Sequence, residues 1–182
     1  LVSNRWCFSD EDIDLIKKEL KKLLKRASQT AFGEQYNFDD ILKSEDIFET
    51  YRKNVPVFDY NSMHKNWWYR SLEGEASVTW PGKTKYFALS SGTSEAASKY
   101  IPITKNMLNS IKRASLRQIL AATKYNFPLD FYSKSFLMIG GSTSLQYNGT
   151  HYSGDLSGIS ASKLPSWFEH FYKPGKKISQ NT

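Results

Sequence analysis

Ser90-Ser91-Gly92-Thr93-Ser94-Glu95-Ala96-Ala97-Ser98-Lys99 is the stretch on which the reading of this chain turns. Tyr86-Phe87-Ala88-Leu89 before it has the composition of a strand, and Lys99-Tyr100-Ile101-Pro102-Ile103 at its end reads as a second extended segment. The pattern is strand, polar loop, strand. A triphosphate needs several short donors that converge on its oxygens. Ser and Thr hydroxyls and exposed backbone N–H groups supply them. Gly92 has no side chain and lets the backbone come close. Lys99 brings a positive charge to the edge of the loop.

Two common phosphate motifs are excluded. A Walker loop carries a Gly-Lys-Ser/Thr triplet and opens a helix, whereas here no such triplet is present and a strand-like segment follows. A dinucleotide fingerprint needs several glycines, and this loop has Gly92 alone.

Working outward, Thr104 can cap a helix whose broad apolar face is Leu108, Ile111, Leu116, Ile119 and Leu120. Residues 135–139 read as a short buried strand ending in Gly140-Gly141-Ser142. Strand, helix and strand in this order suggest an α/β unit. Residues 149–162 are rich in Gly and Ser and read as loop, and Trp167, Phe168, Phe171 and Tyr172 mark a further packed, helical piece. Residues 173–182 have no apolar pattern and read as a frayed end.

Upstream, Ser9 can cap a helix with Asp12 as its capping-box partner. Ile13, Ile16, Leu20, Leu23 and Ala27 follow at helical spacing, with Lys17, Lys18, Lys21, Lys22, Lys25 and Arg26 on the other faces. Residues 31–60 read as short helices and loop, with Phe32, Tyr36, Phe38, Ile41 and Phe48 as anchors. Val55-Pro56-Val57-Phe58-Asp59-Tyr60 is extended, because a residue before proline avoids helical geometry. Trp67-Trp68-Tyr69 is an aromatic knot and Trp80-Pro81-Gly82 a turn. The expected fold class is mixed α/β (α+β), helices around a partial β-sheet, in one domain over residues 1–182.

Composition narrows the function classes. The chain has 182 residues, enough for a sizeable core, and 15% aromatic content is not that of a disordered segment. Cys7 is the sole cysteine, so no internal disulfide or cysteine-rich zinc site is available. An acidic cluster follows the short start, and no apolar run approaches a membrane span, so a soluble, cytoplasmic protein without a membrane partner is expected. The net charge of +7 permits anionic partners without selecting one. The alternative to an enzyme is therefore a basic, non-enzymatic binding module contacting nucleic acid or an acidic partner. The lysine-rich first helix supports it. The acidic residues at the start of that helix, and the lack of an aromatic or Gly-rich nucleic-acid signature, weigh against it.

The whole string, from Ser90 through Lys99-Tyr100-Ile101-Pro102-Ile103-Thr104, resembles the first motif of the adenylate-forming superfamily. Ser-Ser-Gly-Thr-Ser, the lysine seven residues after the glycine and the Ile-Pro-x-Thr continuation resemble one branch of it. That branch is the auxin-responsive Gretchen Hagen family of acyl-acid amido synthetases and their bacterial relatives. Phe32-Gly33, Phe48, Val55-Pro56-Val57, Asp59-Tyr60 and Trp80-Pro81-Gly82 follow the order that family shows, so the resemblance covers residues 31–104 best. It implies the N-terminal part of the large domain of a synthetase. It also implies ATP with Mg2+, a carboxylic acid that attacks the α-phosphate, and an amino acid whose amine displaces AMP. By position, Ser90, Ser91, Gly92, Thr93 and Ser94 would hold phosphate oxygens, with Lys99 beside them. Glu95-Ala96-Ala97 stands where the family often has a second glycine, and the motifs for adenine, ribose and metal do not occur in these residues. The fragment alone is therefore expected to be inactive, with the rest of the enzyme as its missing partner.

Other constellations are weaker. Arg113 and Arg117 lie four residues apart and could face a carboxylate, but read better as solvated. His64, His151 and His170 are too scattered for a metal site. Asp155 sits among turn residues, Asn148-Gly149-Thr150 is a chance-frequency glycosylation triplet, and Trp67-Trp68-Tyr69 reads as packing rather than a stacking platform.

Overall fold

The computed structural model describes residues 9–90, 98–137, 140–164, 169–173, 175, 178 and 180. The chain divides into two compact units, residues 1–83 and 84–182.

The first unit is helical. Helix α1 (Asp10–Ala27) starts at Ser9, whose hydroxyl accepts from Asp12 N at 3.2 Å while Asp12 Oδ2 accepts from Ser9 N at 3.0 Å. The Ser9 hydroxyl, and then its backbone N–H, hold the Asp12 carboxyl below its ordinary pKa. This capping contribution is therefore complete above the ordinary aspartate range and lost as pH falls through the lowered value. Only the last turns of α1 are buried, through Leu24 and Ala27, with Leu20 packed beside them. The expected apolar stripe is thus displaced: Leu24 takes the core position, and Ile13, Ile16 and Leu23 are exposed. The reason is reach, because the short helices α2 (Ala31–Gln35), α3 (Phe38–Lys43) and α4 (Ile47–Asn54) meet only part of α1.

Thr30 fixes the turn between α1 and α2. It is fully buried, donates to Ala27 O at 2.6 Å and accepts from Gly33 N at 3.1 Å. Gly33 lies so close to this turn that a Cβ would collide with the Ala27 carbonyl. That close approach sets Phe32 at the centre of an aromatic cluster, with Trp67 at 5.0 Å, Tyr36 at 4.7 Å, and Phe38 and Phe58 both at 5.9 Å. A fully buried ring such as Phe38 contributes roughly 1.5–3 kcal/mol, and the half-buried Tyr36 and Phe58 less. Of residues 55–60, Val55 and Asp59 are extended while Tyr60 already opens α5 (Tyr60–Met63), after which come a π-turn (His64–Trp68) and α6 (Tyr69–Leu72). The π-turn lets Trp67 point into the cluster, where its Nε1 has no acceptor. Gly82, at φ +85°, closes the turn that returns Ser77 N to Gly82 O at 2.9 Å.

The second unit carries the sheets. Strands β1 (Tyr86–Ser90) and β2 (Lys99–Ile103) pair antiparallel, followed by α7 (Lys105–Ala121). After 3₁₀ turns come β3 (Phe136–Leu137), β4 (Gln146–Tyr147), β5 (Tyr152–Gly154), α8 (Leu156–Ser162) and β6 (Tyr172–Lys173). The main sheet has the order β2-β1-β5-β4, with β1 and β5 parallel, and β3 pairs with β6 in a second sheet. Pro102 lies mid-strand in β2, which is tolerated because β2 is an edge. Phe87, Ile103 and Ile159 are essentially fully buried.

The mixed fold class holds, and three local expectations are corrected. First, β2, α7 and β3 do not form a βαβ unit within one sheet, because β3 pairs elsewhere. Second, β3 is not a buried strand: Leu137 is 71% exposed, and residues 138 and 139 lie outside the described residues. Third, residues 149–162 are only partly loop, because 152–154 form β5 and 156–162 form α8. Gly158 allows α8 to approach so closely that a Cβ there would strike the Ser142 carbonyl, and Ile159 anchors the helix in the core. Burial overrides weak helix propensity here. The α7 face is also used less than its periodicity implies, since Leu108 is buried while Leu116, Ile119 and Leu120 are exposed. Of the packed helical piece expected at the end, Trp167 and Phe168 lie outside the described residues, and Tyr172 is buried but in strand β6 rather than a helix. Of the expected frayed end, Lys173 lies in β6, and residues 174, 176, 177, 179, 181 and 182 lie outside the described residues.

Two substitutions test these packing arguments. Gly33→Ala should cost about 1–3 kcal/mol, because backbone must shift to admit the methyl. Phe87→Ala should cost about 3–5 kcal/mol through the cavity it leaves. Urea unfolding followed by tryptophan fluorescence and far-UV circular dichroism reads both. An unchanged midpoint for Gly33→Ala would refute the close approach at Ala27.

Candidate phosphate-loop site

Two described residues frame the candidate site. Ser90 is the last residue of β1, Lys99 the first of β2, and they are directly paired across the antiparallel ladder. A chain segment that leaves at Ser90 thus re-enters at its own partner. Ser91, Gly92, Thr93 and Ser94 lie outside the described residues. What the fold defines is the base on which they stand.

That base is anchored from below. Phe87 is fully buried, and its ring meets the His151 ring at 4.6 Å. Tyr100, beside Lys99, meets the same imidazole edge-on at 6.2 Å. On β1, Ala88 joins Ile103, Leu108 and Ile159 in a core cluster. Tyr86 stacks on Tyr152 at 5.7 Å, and Lys163 Nζ lies over the Tyr86 ring at 4.7 Å. The Ile-Pro-x-Thr continuation now has a physical reading. Ile101 packs against the cluster, Pro102 occupies the sheet edge, Ile103 is buried, and the Thr104 hydroxyl accepts from Met107 N at 3.1 Å to start α7.

A second feature was not legible in the residues alone. Gly141 N donates to Ser157 Oγ at 2.8 Å, and a Cβ at Gly141 would collide with the Asp155 carboxylate. Gly140-Gly141-Ser142 is therefore a strip on which the start of α8 rests, and Asp155 is its N-cap residue by position. The glycines alone signalled only a turn; their partners lie some fifteen residues on in sequence.

The remaining candidates are accounted for. Arg113 is exposed and donates to Ser110 Oγ at 3.2 Å, and Arg117 is exposed too. Among the described residues no group of three His, Cys, Asp or Glu could hold a metal ion. Trp67 is buried in the first unit and Trp68 packs on Tyr60 at 6.0 Å, so these rings act in packing. The lysines of α1 are exposed, and Lys22 pairs with Glu19 at 3.2 Å. Among the described residues no helix is long and apolar enough to cross a membrane. Cys7 lies outside the described residues.

Comparison with known proteins bears on the fold and the family. The chain is similar to the solved structure of GH3.15 acyl acid amido synthetase, with a TM-score of 0.62 and 21% identity over 84% of this chain and 27% of that one. A second, AtGH3.15 acyl acid amido synthetase in complex with 2,4-DB, matches with a TM-score of 0.63 and 21% identity over 90% of this chain and 28% of that one. At that identity the likeness speaks for the fold, and the chain spans about a quarter of the length of these structures. No protein of curated function matches by sequence. The GH3 family N-terminal domain matches residues 11–181, almost the whole chain. This chain belongs to the GH3 family.

Proposed function

We propose that the chain supplies the nucleotide-phosphate loop of an ATP-dependent acyl-acid amido synthetase. The observation that carries this reading is the direct pairing of Ser90 with Lys99 at the two ends of the Ser-Gly-Thr loop, in a chain of this family. Ser90, Ser91, Gly92, Thr93 and Ser94 hold phosphate oxygens through hydroxyl and backbone donors, and Lys99 adds positive charge at the rim. These groups act by positioning and charge stabilisation.

In the reaction, the carboxylate oxygen of the acid forms a bond to the α-phosphorus of ATP, and pyrophosphate leaves. The amine of an amino acid then attacks the acyl carbon, AMP leaves, and the amine loses a proton. A relative's complex with 2,4-DB agrees with a small-molecule acid as the first substrate. Mg2+ would screen the charge of the triphosphate. The cytoplasm, where ATP is supplied, is the proposed location. The binding-module reading gains nothing specific from the fold.

Two outcomes are expected. The purified 182-residue chain should show no ATP–pyrophosphate exchange, because the adenine, ribose and metal motifs lie outside it. In a longer synthetase containing this chain, Ser91→Ala or Thr93→Ala should each lower kcat/KM for ATP by roughly 10–100-fold, the worth of one hydrogen bond to a charged group. Pyrophosphate release unaltered by both substitutions would remove the loop assignment.

A further inference from the structure

His151 is 97% buried, since only 3% of its surface is exposed, and the phosphate-loop reading gives it no part. Its hydrogen bonds define its protonation state. Asn148 Oδ1 accepts from His151 N at 3.1 Å and from Thr150 N at 3.3 Å. Backbone N–H groups only donate, so this orientation of the Asn148 amide is forced. Its Nδ2, also a donor only, then lies 2.9 Å from His151 Nε2. Nε2 must therefore carry a lone pair. The ring proton sits on Nδ1, which is 2.9 Å from Thr150 Oγ1. The Thr150 hydroxyl in turn reaches Asn148 Oδ1 at 3.2 Å. The arrangement admits a neutral imidazole and opposes an imidazolium.

The ring is also placed where it matters. Phe87 of β1 and Tyr100 of β2 both meet it, and Tyr152, the next residue, donates its N–H to Lys85 O at 2.9 Å at the start of β1. We propose that neutral His151 is a positioning residue for the β1–β2 pair, holding the strands whose ends present Ser90 and Lys99. Among the described residues, the titratable ring facing it is Tyr100. Among them too, Lys85 just before β1 and Lys99 in β2 are the charged residues there, Tyr152 and Tyr147 stand on β5 and β4, and its own turn contributes uncharged Asn148 and Thr150. Protonation turns Nε2 from acceptor to donor, sets it against the Asn148 amide and loosens the pair. The Asn148-Gly149-Thr150 triplet thus has a structural use, with its amide nitrogen engaged on His151.

For its consequence in nucleotide binding, this inference rests on the phosphate-loop reading; its structural content does not. Long-range 1H–15N correlation on the labelled 182-residue chain at about pH 7.5 should show His151 protonated on Nδ1; protonation on Nε2 overturns the assignment. Hydrogen exchange, corrected for intrinsic rates, should show β1 and β2 amides losing about tenfold protection per pH unit below the ordinary histidine value of about 6.5. His151→Phe keeps a ring of similar size without the titration and should abolish that pH dependence. Asn148→Ala should weaken it. Protection that is flat with pH in the unmodified chain, or a slope that survives His151→Phe, refutes the positioning role. ATP added as a probe separates the two readings. Exchange that passes these tests while ATP shifts no β1 or β2 resonance counts against the loop alone and leaves the role of His151 standing.

Discussion

Strand β1 is hydrogen-bonded on both edges, antiparallel to β2 and parallel to β5, and the second unit depends on that. An antiparallel partner brings the chain back to where it left, so Ser90 and Lys99 must face one another. A parallel partner needs a long crossover, and α7 with the turns behind it supplies that length before β5 arrives. Phe87 fills the space under the pair, and His151 enters from β5's leading turn to meet it. The candidate site is thus a rim set by backbone pairing and supported by a buried ring contact.

The first unit shows how much of a motif is packing. Phe32-Gly33 reads in sequence as a family marker. In the fold, Gly33 is what lets α2 press on the Ala27 carbonyl, and Phe32 is the ring four other aromatics touch. Trp80-Pro81-Gly82 likewise precedes a return that ties Ala76 to Lys83, while Ala31 and Phe32 N–H groups bond to the carbonyls of Ser77 and Val78. These residues organise a core.

Local signals were legible where one short rule governs. Ser9 and Thr104 were readable as caps because capping is a contact across three residues. Strands β1 and β2 were readable because each is a short apolar run beside a polar loop. Legibility failed where a partner distant in sequence decides. Helix α8 exists because Gly158 meets Ser142 and Ile159 meets the core, and neither neighbour is adjacent in the chain. Leu24 rather than Leu23 is buried because it shares the core-facing side of α1 with Leu20 and Ala27, while Ile13 and Ile16 lie where α1 is exposed. His151 was one of three scattered histidines until the fold placed Phe87 and Tyr100 against it. The loop types themselves spoke for a phosphate cradle, and the family resemblance supplied the reaction.

Pro102 has a further consequence for how such chains behave in a crowded solution. An open strand edge is a template for pairing with other molecules. Among the described residues β2 is an edge strand, and Pro102, the fourth of its five residues, offers no N–H there. A foreign strand laid along it would leave its own carbonyl unmatched there. The edge next to the candidate site is thereby poorly suited to stacking on copies of itself, and the other edge of the same sheet, β4, is only two residues long.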